Sequence, residues 1–408
     1  MWPRGAGPPR VLIMVENVAL ARDHRLRKQV QALVGAGYGV SVICRRDPAN
    51  EAGPGVRLHE YPATPDATSK LGYLREYGWS LLMAGWLMLR VWFREGFDVL
   101  QISGTPDIFF IVSAPFRLLG RQVVLDQRDL SPELYEHRFG RRDRVYRLLL
   151  TLERASYRNA DHVLTVNESL RRVAIQRGGL AAEQVTVVGN GPVLARCGPR
   201  PKQPALRHGR RFLCCWVGVM GPQDQVELAL RVVRHLVLEI GRTDCHFAVV
   251  GDGESRAAAI DLARGFGIEE LVSFPGWLAE DEAFGYLSSA DLGIEPNLEP
   301  TVSPVKGMEY MAFGVPFVAF DLPETRILAG DAAAYAPPAD VAELARLIDA
   351  LLDDPVRRAE MGRAGRQRVL QEVAWDHQER RYLAAYRSLL GAATDPATQR
   401  QHPEQVNR

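Results

Sequence analysis

Short, wholly apolar runs alternate along this chain with longer stretches whose apolar residues recur every three or four positions. Residues 11–15 and 40–44 are runs of the first kind; 23–34, between them, has helical spacing and a polar outer face. Gly35-Ala-Gly37 ends that helix. A strand–helix–strand opening predicts a parallel sheet covered by helices. The order repeats, with strands at 97–103 and 123–126 around a helix at 108–119, then strands at 161–166 and 185–188. Residues 196–211, rich in Pro and Arg, read as an interdomain linker. A second series follows, with apolar runs at 212–217, 246–250, 272–277, 290–294, 317–320 and 332–337 and helices at 226–238, 260–266, 305–313 and 341–352. A long amphipathic helix from 375 to about 390 and a polar, mobile tail at 393–408 close the chain. The fold class is therefore α/β, two Rossmann-like domains facing a central cleft, with the first at 1–195 and the second at 196–372.

Two stretches resist this pattern. Residues 48–69 are a Pro/Gly-rich connector. Residues 71–93 mix Tyr73, Tyr77, Trp79, Trp86 and Trp92 with Leu and Met. A core helix is the favoured reading, and a helix resting on a membrane surface is the alternative. The longest apolar region, 81–93, contains Arg90 and falls short of the ~20 residues a spanning helix needs.

The chemistry concentrates at 299–326. Pro304 suits the first turn of a helix over 305–313, Gly314 its left-handed end, and Pro316 blocks its return. A polar loop feeding a helix N-terminus is a ready anion site. Lys306 sits in the first turn, where a cation opposes the helix dipole, a placement that makes sense with an anion bound. Glu309 lies one turn on, along the same face. Phosphate below and hydroxyls above is what a nucleotide diphosphate presents. In the first domain, the charged loop Asp126-Gln-Arg-Asp-Leu-Ser-Pro-Glu-Leu-Tyr135 follows a strand, where such folds bind ligands. Glu16-Asn-Val-Ala19 stands where a glycine-rich loop would follow the first strand, so no dinucleotide cofactor is indicated.

Composition narrows the field. The 408 residues carry a net charge of +1, which steers no nucleic acid, and no basic patch is interleaved with aromatics. Arg138, Arg141, Arg142, Arg144 and Arg147 read first as a solvated helix face. Five cysteines show no metal or disulfide spacing, no Asp-x-Asp pair stands near 299–326, and no secretory leader opens the chain. The cysteine usage suits a reducing cytoplasm. His24 and His137 read as surface residues first and as acid/base groups second, and His162 as packed.

Residues 306–325 resemble the donor-site signature of retaining GT-B nucleotide-sugar glycosyltransferases of family 4, in the branch acting in bacterial surface-polysaccharide and glycoconjugate assembly. That branch carries Lys-x-x-Glu-Tyr-Met-Ala-x-Gly-x-Pro followed by Asp-Leu-x-Glu-Thr. Here Lys306, Glu309, Tyr310, Met311, Ala312, Gly314, Pro316, Asp321, Leu322, Glu324 and Thr325 match. The run Gly218-Val-Met-Gly-Pro-Gln-Asp224 is similar to the branch, as are Gly251-Asp-Gly253 and Asp126 to Tyr135. The likeness covers about residues 10 to 390.

The resemblance implies transfer of a sugar from a nucleotide-diphosphate sugar, with no cofactor and, fitting the missing Asp-x-Asp pair, with no metal, to a small-molecule or lipid-linked acceptor, with peripheral membrane contact as a further expectation. It implies a C-terminal helix at 373–392 crossing back to the first domain. It gives Lys306 and Glu309 catalytic and donor roles, with the ribose on Glu309. Gly218, Met220, Gly221, Gly251, Trp277, Thr301, Ser303 and Val305 complete the donor set, the base lying near Trp277. Glu16, Asp23, Arg128, Asp129 and Glu133 form the acceptor side, where Arg128 and Asp129 also count as catalytic. Arg128 replaces the branch's His, Thr301 the usual sugar-contacting Glu, and Val219 and Asp224 the loop cations of most members. An epimerase on the same fold and a non-enzymatic homologue are the rival readings.

Overall fold

The computed structural model describes residues 8–16, 18–62, 70–221 and 224–391. The tail at 393–408, Asn17, and most of the Gly/Pro-rich N-terminus lie outside them. The chain divides into two compact units: Met1–Val188 with Glu379–Arg408, and Gly189–Gln378.

The first unit is built in the order β1 (Arg10–Val15), α1 (His24–Gly35), β2 (Gly39–Arg45), β3 (Val56–Tyr61), α2 (Lys70–Arg94), β4 (Val99–Ser103), α3 (Phe110–Leu118), β5 (Gln122–Gln127), α4 (Ser131–Phe139), α5 (Arg144–Asn159), β6 (His162–Thr165), α6 (Glu168–Gln176), β7 (Val185–Val187). Its seven strands are parallel in the order β3-β2-β1-β4-β5-β6-β7. Strand β3 falls inside the expected connector at 48–69. Its polar-rich Val56-Arg-Leu-His-Glu-Tyr61 suits an edge strand, and the neighbouring Pro and Gly masked that signal. Helix α2 is longer than the apolar run and is core on one side only: Ala84, Leu87, Met88 and Val91 are buried, while Leu82, Trp86, Leu89 and Phe93 are exposed. No helix among the described residues is long and apolar enough to cross a membrane.

The second unit follows as β8 (Phe212–Val217), α7 (Val226–Leu238), β9 (Cys245–Val250), α8 (Arg256–Gly265), β10 (Val272–Gly276), α9 (Glu280–Ser289), β11 (Leu292–Glu295), α10 (Val305–Phe313), β12 (Phe317–Phe320), α11 (Pro323–Ala329), β13 (Ala333–Ala336), α12 (Val341–Asp353) and α13 (Pro355–Arg368). Its six parallel strands run β10-β9-β8-β11-β12-β13. Both sheets share one logic: the chain builds outward from its first strand, then returns to build on the other side. The reversal leaves a crevice beyond the carboxyl ends of β1 and β4 in one unit and of β8 and β11 in the other, where ligands of such sheets bind. Helix α14 (Trp375–Leu390) begins with the second unit and passes to the first at Glu379. There Tyr382 and Tyr386, both buried, donate hydrogen bonds of 2.8 and 2.6 Å to Gln101 Oε1.

Candidate functional site

In the second unit, α10 is anchored over the crevice by Tyr310. This residue is fully buried, and its hydroxyl lies 3.0 Å from the carbonyl of Cys215 on β8 and 3.2 Å from that of Ile294 on β11. Gly293 makes room for it, because a Cβ there would lie 2.5 Å from the Tyr310 ring. Gly314 ends the helix in the left-handed region at φ 70°. The sequence thus fixes where the first turn of α10, and Lys306 with it, must sit.

Lys306 Nζ lies 4.9 Å from the centre of the Trp216 ring and 3.1 Å from Asp224 Oδ1. A Cβ on Gly218 would come within 2.9 Å of Lys306 Cε, so this lysine runs directly along bare backbone. The loops after β8 and β9 are laced together by backbone hydrogen bonds from Gly218 N–H to Val250 O at 3.0 Å and Met220 N–H to Asp252 O at 2.9 Å. Gly251, at φ 133°, makes this possible: a Cβ there would stand 1.8 Å from Gly218 O. Asp224 Oδ2 also accepts the Gly221 N–H at 3.2 Å. One carboxylate therefore ties the loop to the lysine.

Other expected donor residues are less uniform. Glu309 is half-buried, one turn along α10 from Lys306. Trp277 stands 70% exposed just past β10. Thr301 Oγ1 donates to Glu299 Oε1 at 2.9 Å, Ser303 offers its carbonyl to Val305 N–H at 2.8 Å, and Val305 is exposed. Met220 is fully buried, so its side chain belongs to the core and only its backbone belongs to the loop. Sequence reasoning missed Glu295. This carboxylate ends β11, is 2% exposed, and its Oε2 has no hydrogen-bond partner. Burial pushes its carboxyl above the usual range, against the pull of Lys306 and of the Gly307 N–H. A lone charge closing an apolar strand was the signal for it.

In the first unit the expected acceptor residues fall into separate groups. Asp126, fully buried at the end of β5, accepts from Arg25 Nη2 at 2.7 Å, Arg128 Nε at 3.0 Å and Gln29 Nε2 at 3.1 Å. Burial alone would push its carboxyl up, but the two guanidiniums outweigh burial and hold it at about 2. Arg128 reaches on to Asp23, whose other oxygen caps α1 by accepting the Leu26 N–H at 2.8 Å. Asp23 and Arg128 therefore come together, inside an ionic network rather than as free groups. Asp129 lies beside them, exposed. Glu16 is elsewhere: 2% exposed, it accepts from Arg45 Nη2 and Ser80 Oγ, both at 2.8 Å. Glu133 is held by both ends of Arg177, at 2.5 and 3.1 Å, and Arg177 also binds buried Glu153 at 2.7 Å. Burial pushes Glu153 up to about 7 and the nearby Asp107 up to about 6. His24 and His137 are exposed, and buried His162 bonds Thr186 Oγ1 at 2.8 Å.

Known families recognise both halves of this architecture. The model described as "Glycosyl transferases group 1" matches residues 211–354, and that described as "Glycosyl transferase 4-like domain" matches 23–191. The chain belongs to this glycosyltransferase family. The 2-deoxystreptamine glucosyltransferase of Streptomyces kanamyceticus is 28% identical over 260 residues, covering 61% of this chain and 66% of that relative, just under two thirds of its length. The glycosyltransferase shares the GT-B fold of sucrose-phosphate synthase from Thermosynechococcus elongatus, with a TM-score of 0.78 at 18% identity, covering 94% of this chain and 100% of that one. It is also similar in fold to Anabaena HepE in complex with UDP-glucose, with a TM-score of 0.71 at 16% identity, covering 93% and 99% of the two chains.

Proposed function

We propose that this glycosyltransferase moves a hexose from a nucleoside-diphosphate sugar to an acceptor hydroxyl or amine, with retention of anomeric configuration. The observation that carries the reading is Lys306, held in the first turn of α10 against Trp216 and the bare backbone of Gly218. Departure of a nucleoside diphosphate places charge on phosphate oxygens. Preorganised cations and N–H groups aimed at that charge lower the barrier more than they favour the ground state. Lys306 and the α10 N-terminus supply them, Glu309 takes the ribose hydroxyls, and the exposed Trp277 ring offers a face to the base. In this reading Lys306 and the backbone N–H groups carry the charge that a divalent cation would otherwise take on the diphosphate, so the proposed step uses no cofactor and no metal. Asp129 is the acceptor-side group open to solvent, and Arg128 orients that loop as a cation fixed by Asp23 and Asp126. The glucosyl specificity printed for the Streptomyces relative and the UDP-glucose in the Anabaena complex support a UDP-hexose donor.

The test is thermal stabilisation by UDP, GDP, dTDP and ADP and their sugars, with Lys306→Ala and Glu309→Ala beside the native protein. A ligand that binds only the folded state raises its apparent stability by mass action. A shift with one nucleotide, lost in both variants, is expected. No shift with any of them at millimolar concentration would sink the reading in favour of a non-enzymatic homologue. Conversion of the donor without any acceptor would favour the epimerase.

A further inference from the structure

Among the described residues, helix α2 carries a solvent-facing apolar stripe, in which the Trp79 indole N–H donates to Pro62 O at 3.1 Å. Trp79, Leu82, Trp86, Leu89 and Phe93 recur at spacings of three and four, and they are 37, 69, 54, 50 and 68% exposed. They form one stripe down the helix, opposite the buried Ala84, Leu87, Met88 and Val91. Five large apolar side chains in a single stripe exceed the scattered exposure of an ordinary surface. Helix α3 packs alongside, with Val112 Cγ1 3.2 Å from where a Cβ on Gly85 would stand, and adds exposed Ile111 and Leu118.

Charge selects the occupant. Among the described side chains of α2, the exposed charges are Arg75, Arg90 and Arg94, all positive. The one acid, Glu76, is buried and accepts from Arg45 at 2.8 Å. Arg90 lies over the Trp86 ring at 5.6 Å, so cation and aromatic share one position at the stripe's edge. A second copy on this face would bring more arginines and no exposed acid from α2 to meet them. A dry seam would also strip water from the Trp86 N–H, whereas a headgroup layer leaves indole rings half wet. We propose that the α2–α3 face lies on an anionic bilayer surface, with the stripe in the headgroup–acyl boundary and the arginines on lipid phosphates. An amphipathic helix flanked by cations binds in this way, and each arginine near such a surface contributes about five-fold in affinity. The inference is independent of the donor-site reading.

Cosedimentation of the full chain with vesicles of phosphatidylcholine, alone or mixed with phosphatidylglycerol, tests it. The native protein is expected to pellet with the mixed vesicles, less so at high salt, and weakly with phosphatidylcholine. Leu82→Glu combined with Trp86→Glu should lower binding at least ten-fold at unchanged melting temperature, since both positions are exposed. Arg90→Glu with Arg94→Glu should remove the preference for phosphatidylglycerol. No pelleting with either vesicle overturns the proposal, as does equal pelleting of the native protein and the stripe variant. A dimer in solution that the stripe variant disperses, without vesicle binding, overturns it in favour of a second copy.

Discussion

Asp224→Asn isolates what the aspartate does to Lys306. The two groups are 3.1 Å apart and only 15 and 21% exposed, so Asp224 holds the lysine where a diphosphate would need it. Unit charges at that distance attract by about 5 kcal/mol at an effective dielectric of ~20, before desolvation. Measured pairs near a surface net roughly 1 kcal/mol or less. Incoming phosphate must displace this partner and then tolerate a nearby carboxylate, a repulsion of roughly another 1 kcal/mol. Asparagine keeps an oxygen for the Gly221 N–H and removes the charge. Nucleoside diphosphate should therefore bind about ten-fold more tightly to Asp224→Asn, as read by titration calorimetry, and the gain should shrink as salt rises. In a Lys306→Ala background the same substitution should gain only a few-fold, giving a measurable coupling. Equal or weaker binding by Asp224→Asn would refute the competition and make Asp224 a loop support alone.

Other substitutions read separate parts of the structure. Asp126→Asn leaves Arg25 and Arg128 buried without their shared carboxylate, and chemical denaturation should show a loss of about 3–5 kcal/mol. Gly251→Ala drives a Cβ toward Gly218 O, and should cost about 1–3 kcal/mol of stability and at least ten-fold in nucleotide affinity. Glu153 has its carboxyl raised from 4.5 to about 7, so its stability contribution is complete below the lower value and is lost as pH rises through the higher. Glu153→Gln should therefore gain on the native protein as pH rises from 4.5 to about 7, by roughly 3 kcal/mol at most, and keep that gain at higher pH in paired melting curves.

Much of this was legible because parallel strands buried on both faces read as bare apolar runs. Residues 317–320 needed nothing else, and Pro304 and Gly314 framed α10 by backbone chemistry alone. The place of Lys306 in the first turn of α10 was legible with them. What long-range packing decides was not legible. Nothing local to Glu16 announces Arg45, and nothing local to Glu133 announces Arg177. Asp23 and Arg128 are 105 positions apart and meet through Asp126, which only the sheet brings between them. The stripe on α2 and its buried opposite side are both apolar, so periodicity could not tell which side faced water.

Helix α14 sets an order on synthesis. The first unit holds Gln101 buried, and two of the hydroxyls that meet its carbonyl oxygen belong to Tyr382 and Tyr386, which leave the ribosome about 280 residues later. Until then the first sheet has all seven of its strands but lacks these two donors, and a buried acceptor without donors is costly. The second unit, continuous from Gly189 to Gln378, has no such wait. The nascent chain therefore completes its second unit before its first, and a helix made after both sheets finishes the earlier one.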